Sequence, residues 1–134
     1  MKFLRIGQLG KEKPALIDKK GIIRDISKRV AELNSNTLND ITIQLIKNSD
    51  IEKFPEIPKN TRIGPCISKP EKFIGIGLNY SDHAAETGMS PPKEPIIFFK
   101  ANSCLSGPYD DVIIPKNSKK TDWEVELGVI IGKK

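Results

Sequence analysis

Four prolines, Pro55, Pro58, Pro65 and Pro70, fall within 16 residues near the middle of the chain. Each removes a backbone donor and biases the residue before it toward extended geometry, so neither a helix nor a central strand runs through this stretch. It reads as a linker or an edge crossing. The organisation expected is a small N-terminal domain over 1–60, a Pro-rich linker over 61–70 and a second domain over 71–134. At 134 residues, the chain is long enough to bury a core without disulfides or metals as staples.

Ahead of the prolines the pattern is mainly that of strands. Lys2 to Leu9 alternates with some irregularity and stops at Gly10. Ala15 to Ile17 and Ile22 to Ile26 are short aliphatic runs around Asp18-Lys19-Lys20-Gly21, whose glycine suits the positive φ of a hairpin turn. A helix is expected after Thr37 as N-cap, with Asp40 three residues on and Leu38, Ile41, Leu45 and Ile46 on one face.

Charge and cysteine usage exclude several function classes. The 22 Lys+Arg against 17 Asp+Glu leave +5, mostly as scattered Lys; Arg5, Arg24, Arg29 and Arg62 are the only arginines. The pairs Lys119-Lys120 and Lys133-Lys134 do not extend into a basic run, so no nucleic-acid partner is expected. Cys66 and Cys104 form no Cys-x-x-Cys pair and have no His nearby, which rules out a zinc finger. The longest apolar run, Ile96 to Phe99, is far short of the ~20 residues of a membrane helix, and Met1 to Lys13 has no signal-like apolar stretch. The expectation is a cytoplasmic protein with reduced thiols and no membrane partner.

Two places carry potential chemistry. Lys72 to Ile76 reads as a strand leading into Gly77-Leu78-Asn79-Tyr80, and a short helix follows from His83 to Thr87, capped by Ser81 or Asp82 and ended by Gly88. Gly75-x-Gly77 is not a dinucleotide loop, because Tyr80 stands where Gly or Ala is needed and no long helix follows. His83 and Glu86 are i and i+3 on that helix, and a carboxylate beside an imidazole favours its protonated form and suits it to activate water. An exposed turn whose His and Glu merely touch accounts for the same spacing. The second place is Thr121 to Ile131, read as a strand with Asp122, Glu124 and Glu126 on one side and Trp123, Val125 and Leu127 on the other. Converging carboxylates call for a hard divalent cation, or else form a solvated face neutralised by Lys116, Lys119 and Lys120.

Taken in order, Gly77-Leu78-Asn79-Tyr80-Ser81-Asp82-His83-Ala84-Ala85-Glu86-Thr87-Gly88, Pro95-Ile96-Ile97-Phe98-Phe99-Lys100, Gly107-Pro108, Ile114-Pro115, Asp122-Trp123-Glu124-Val125-Glu126-Leu127 and Val129-Ile130-Ile131-Gly132-Lys133 resemble the fumarylacetoacetate hydrolase family. The likeness is to its bacterial branch of 2-hydroxyhepta-2,4-diene-1,7-dioate isomerases, ureidoglycolate lyases and acylpyruvate hydrolases. It runs from about Arg62 onward, and the N-terminal part fits that branch's small leading domain.

The resemblance implies a mainly β (α+β) fold, with a small N-terminal domain followed by the beginning of a mixed β-sandwich roll, truncated. It makes Glu124 and Glu126 ligands of Mg²⁺, or Mn²⁺ or Ca²⁺, and leaves Asp122 out of the ligand set. His83 and Glu86 become the pair that activates water, with Lys100 near the site, Ile96 to Phe99 in the core and Thr87 to Glu94 in a flap. In such enzymes a 2-oxo or 1,3-dicarbonyl acid chelates the ion, which stabilises the enolate left when a C–C bond breaks. The metal as electron sink is common to hydrolysis, which adds water, and to isomerisation, decarboxylation and lyase chemistry, which need proton transfer alone. The family's third acidic ligand has no counterpart in this sequence, so an N-terminal portion is expected: inactive alone, homodimeric in full-length form. The alternative is a non-catalytic remnant or oligomerisation module of the same fold.

Overall fold

The computed structural model describes residues 1–132, so Lys133 and Lys134, and with them the last position of the motif series, lie outside the described residues. The chain divides into two compact units, one of residues 1–68 with 106–134 and one of Lys69–Leu105. Among the described residues strands outnumber helices and the longest helix has 8 residues, in agreement with the mainly β reading. None is long and apolar enough to cross a membrane.

The first unit is built on an antiparallel meander of β1 (Lys2–Ile6), β2 (Lys13–Ile17), β3 (Ile23–Asp25) and β4 (Glu56–Ile57), paired in that order. The β1 and β2 strands run in register from Lys2 opposite Ile17 to Ile6 opposite Lys13. The β2–β3 turn forms as its composition suggests. Asp18 accepts hydrogen bonds from the Lys20 and Ile22 amides at 2.8 and 2.9 Å, and Gly21 takes a φ of 78° that a side chain would resist.

The Pro-rich stretch does more than cross between domains. Its start supplies β4, and Ile63 then bridges Ile6, with the Gly7 amide donating to Arg62 at 2.9 Å and the Gly64 amide to Arg5 at 2.8 Å. The segment that supplies β4 at one edge of the meander thereby also ties β1 at the other, closing the sheet into a small roll. Because strand side chains alternate between faces, Leu4, Ile6, Ala15 and Ile23 pack with Ile17, Ile57 and Ile63 on one face. Leu16 goes to the other, where it packs with Ile26, Val30, Leu33 and Ile46.

Ile46 comes from α1 (Asp40–Lys47), and here the structure moves the expected cap. The N-cap is Asn39, whose side chain accepts from the Thr42 amide at 2.9 Å; the Thr37 hydroxyl is engaged by the Glu32 carbonyl and the Asn34 amide instead. That turn around Asn34 satisfies Thr37 locally and leaves capping to the next suitable side chain. The expected apolar face is also narrower. Ile46 is fully buried and Leu38 partly so, whereas Ile41 is 83% exposed.

The second unit holds a two-stranded antiparallel ribbon, β5 (Ile74–Gly77) with β6 (Ile96–Phe99), in register from Ile74 opposite Phe99 to Gly77 opposite Ile96. Between the strands lies α2 (Ser81–Glu86). Here the expectation of a buried Ile96 to Phe99 strand is corrected. All four residues are exposed, because a ribbon of two strands offers no second layer against which to bury either face.

Candidate functional site

The β5 strand hands over to α2 through Leu78, a non-glycine residue with a φ of 51°. The left-handed region disfavours a Leu, and residues held there cost on the order of 1–3 kcal/mol, so the sharp reversal is imposed by the surrounding segment. The N-cap of α2 is Tyr80, with no side-chain cap bond, in place of the expected Ser81 or Asp82. Asp82 instead accepts from the adjoining His83 amide at 2.9 Å. The helix ends as its sequence foretells. Gly88 has a φ of 68°, its amide donates to Ala85 at 3.1 Å, and the Met89 amide donates to Ala84 at 2.9 Å, the paired bonds of a glycine-terminated helix.

This turn brings His83 and Glu86 together. His83 Nδ1 stands 4.0 Å from Glu86 Oε2, with both side chains exposed. At that separation the two groups attract when the imidazole is protonated but make no hydrogen bond. The Thr87 hydroxyl and amide both donate to the His83 carbonyl, at 3.0 and 3.1 Å, which fixes the backbone beneath the imidazole. Lys100 follows β6 in the same unit. Its amide donates to the Phe73 carbonyl at 2.8 Å and its ammonium stands 5.9 Å from the centroid of the Phe73 ring, within cation–π range.

Glu124 and Glu126 fall in the other unit, and the strand expected around them is not formed: residues 105–132 contain no strand among those described. Trp123 is 80% exposed and Val125 78%, so the expected packing of these two opposite the carboxylates is corrected as well. An alternating segment becomes a strand only where another strand supplies the ladder, and no neighbouring ladder forms here. Carboxylate oxygens are the donors that Mg²⁺, Mn²⁺ and Ca²⁺ accept, but Glu124 and Glu126 are two, and among the described residues no three His, Cys, Asp or Glu side chains come together to hold an ion. Donor chemistry fits such a cation; donor number does not.

The structure also reveals a charged chain that sequence reading passed over. Arg5 grips Glu32 through Nε and Nη2 at 2.7 and 3.0 Å and reaches Glu12 at 3.5 Å; Arg62 binds Glu12 at 2.7 Å and holds Asp110 through Nε and Nη2 at 2.7 and 2.6 Å. Glu12 is the most enclosed of the five, its side chain 4% exposed. Burial pushes its carboxyl upward, yet the Arg62 and Arg5 guanidiniums and nearby backbone donors outweigh this and hold it below the usual range. Bidentate pairing to Arg62, with the Gly107 amide, lowers Asp110 likewise. The available signal was the scarcity of arginine: of four in a Lys-rich chain, Arg5, Arg24 and Arg62 all make the forked carboxylate or carbonyl contacts that Lys cannot match.

Comparison with known proteins bears on the same segments. The family model described as fumarylacetoacetate (FAA) hydrolase C-terminal matches residues 72–134. A Burkholderia ambifaria protein named "Putative hydrolase" is 51% identical over 132 residues, which are 98% of this chain and 47% of that protein. A Burkholderia orbicola protein of the same name is 51% identical over 134 residues, 100% of this chain and 48% of its own length. The chain thus spans about half the length of the curated relatives it matches. The segment that the family model matches, 72–134, holds the motifs from Gly77 onward.

Proposed function

We propose that this chain supplies part of the active site of a divalent-metal-dependent hydrolase acting on C–C bonds of small 2-oxo or 1,3-dicarbonyl acids, in the cytoplasmic bacterial branch to which its motifs point. The observation that carries the reading is the His83–Glu86 pair on one face of a tightly terminated helix, inside the segment that matches the family. In this role His83 takes a proton from water while Glu86 steadies the imidazolium that results. Lys100, held at the end of β6, contributes positive charge toward an anionic substrate. Glu124 and Glu126 are the residues proposed to ligate Mg²⁺, or Mn²⁺ or Ca²⁺, together with donors beyond the described set, and the active form is proposed to be a homodimer. Isomerase or lyase outcomes belong to the same proposal whenever proton transfer occurs without water.

The test joins this chain to the part of the Burkholderia ambifaria relative that the alignment leaves uncovered, and follows loss of an acylpyruvate's dicarbonyl absorbance. His83→Ala is expected to lower turnover by roughly 10²–10⁴ with Mg²⁺ affinity unchanged. Glu124→Gln is expected to weaken Mg²⁺ binding, read by calorimetry, with the fold retained. Full turnover in the His83 variant, or unchanged affinity in the Glu124 variant, would remove that residue from its proposed role.

A further inference from the structure

The Lys69–Leu105 unit is an excursion from the first unit: the chain leaves the roll after Ser68 and rejoins it at Ser106. The two flanking segments, both within the first unit, are fastened to the roll. On the outgoing side the Ser68 amide donates to the Leu33 carbonyl at 2.7 Å, and Ile63 bridges β1. On the returning side the contact is made by Gly107 and Asp110. Asp110 takes both forks of Arg62 and also accepts from the Gly107 amide at 2.7 Å. Gly107 itself lies so close to the Ile63 carbonyl that a Cβ there would collide with its oxygen. Arg62 is held in turn by Glu12 and by the Gly7 carbonyl, at 2.7 and 3.1 Å, so its guanidinium is held from the roll side as well as by Asp110.

We propose that Arg62 and Asp110 form a clasp at the neck of this excursion, locking the returning chain at 106–110 onto the N-terminal roll. Two independent features meet at one place: a bidentate ion pair between residues far apart in sequence, and a backbone approach open only to glycine. The two apolar clusters of the roll are drawn from residues 3–63 and include no residue of 106–110. The clasp therefore acts locally, setting where the segment bearing Glu124 and Glu126 leaves the roll. It rests on contacts within the first unit and does not depend on the proposed activity.

Hydrogen exchange of the 134-residue chain, resolved by peptide or by amide, tests this. Asp110→Asn is expected to speed exchange at the Gly107 and Asp110 amides roughly tenfold or more while amides of β1, β2 and α1 keep their wild-type rates. Arg62→Lys, which keeps the charge and loses the fork, is expected to do the same to a smaller degree, and Asp111→Asn, on the exposed neighbour, to change neither. Unchanged exchange at 106–110 in the Asp110 variant would overturn the clasp. So would a uniform rise across the roll, which would make the pair a general stabiliser, or an equal effect from Asp111→Asn.

Discussion

Replacing Ile46 by Ala, beside the same change at Ile41, distinguishes the face of α1 that holds the roll together from the one that only looks apolar. Ile46 is fully buried among Leu16, Ile26, Val30 and Leu33, while Ile41, on the same helix, is 83% exposed. Truncation at Ile46 removes three methyl or methylene groups, about 2.4 kcal/mol of transfer free energy at ~0.8 kcal/mol each. The cavity left between helix and sheet adds to this, for a total of about 2–5 kcal/mol. A roll of this size holds roughly 3–10 kcal/mol in all, so the variant sits near the edge of folding. Ile46→Val, losing one group, costs about 0.5–1.5 kcal/mol and keeps the comparison measurable. At Ile41 little burial is lost and Ala is the better helix former, so that variant stays within ~0.5 kcal/mol of the parent or gains slightly. Urea unfolding followed by far-ultraviolet circular dichroism, with slopes compared, reads all three. A cost above about 1 kcal/mol at Ile41, or below it for Ile46→Ala, would refute the packing described.

Gly107→Ala should speed amide exchange across 106–110 several-fold because the new methyl meets the Ile63 carbonyl, whereas Gly128→Ala, with open space around it, should change nothing; peptide-resolved hydrogen exchange of the two variants compares them. Acid should weaken the roll in a defined direction. Glu12, Glu32 and Asp18 all have folded pKa values below their ordinary ones, so their contribution is complete above the unfolded carboxylate range and is lost as pH falls through the folded values. Denaturation midpoints should drop progressively below about pH 5, and Glu12→Gln should flatten that dependence. A midpoint that rises on acidification would contradict the ion-pair geometry.

The hairpin around Asp18 and Gly21, the glycine-ended helix after His83 and the mainly β character were legible from composition and spacing, because each depends on residues within one turn of one another. A Gly at positive φ, an Asp that accepts its own turn's amides and an i,i+3 pair need no distant partner. The apolar face of α1 was legible only in part, since periodicity marks which residues share a face and the sheet decides which of them it covers: Ile46, not Ile41. Whether Trp123 to Ile131 forms a strand, and whether Ile96 to Phe99 is buried, depends on what lies alongside them, which no local pattern contains. The same holds for the Glu32–Arg5–Glu12–Arg62–Asp110 chain, assembled from residues up to 50 positions apart within each pair. Local steric preference and short-range hydrogen bonding are properties of the sequence itself. Burial, strand pairing and the meeting of distant charges arise only when the closed roll brings remote segments into contact.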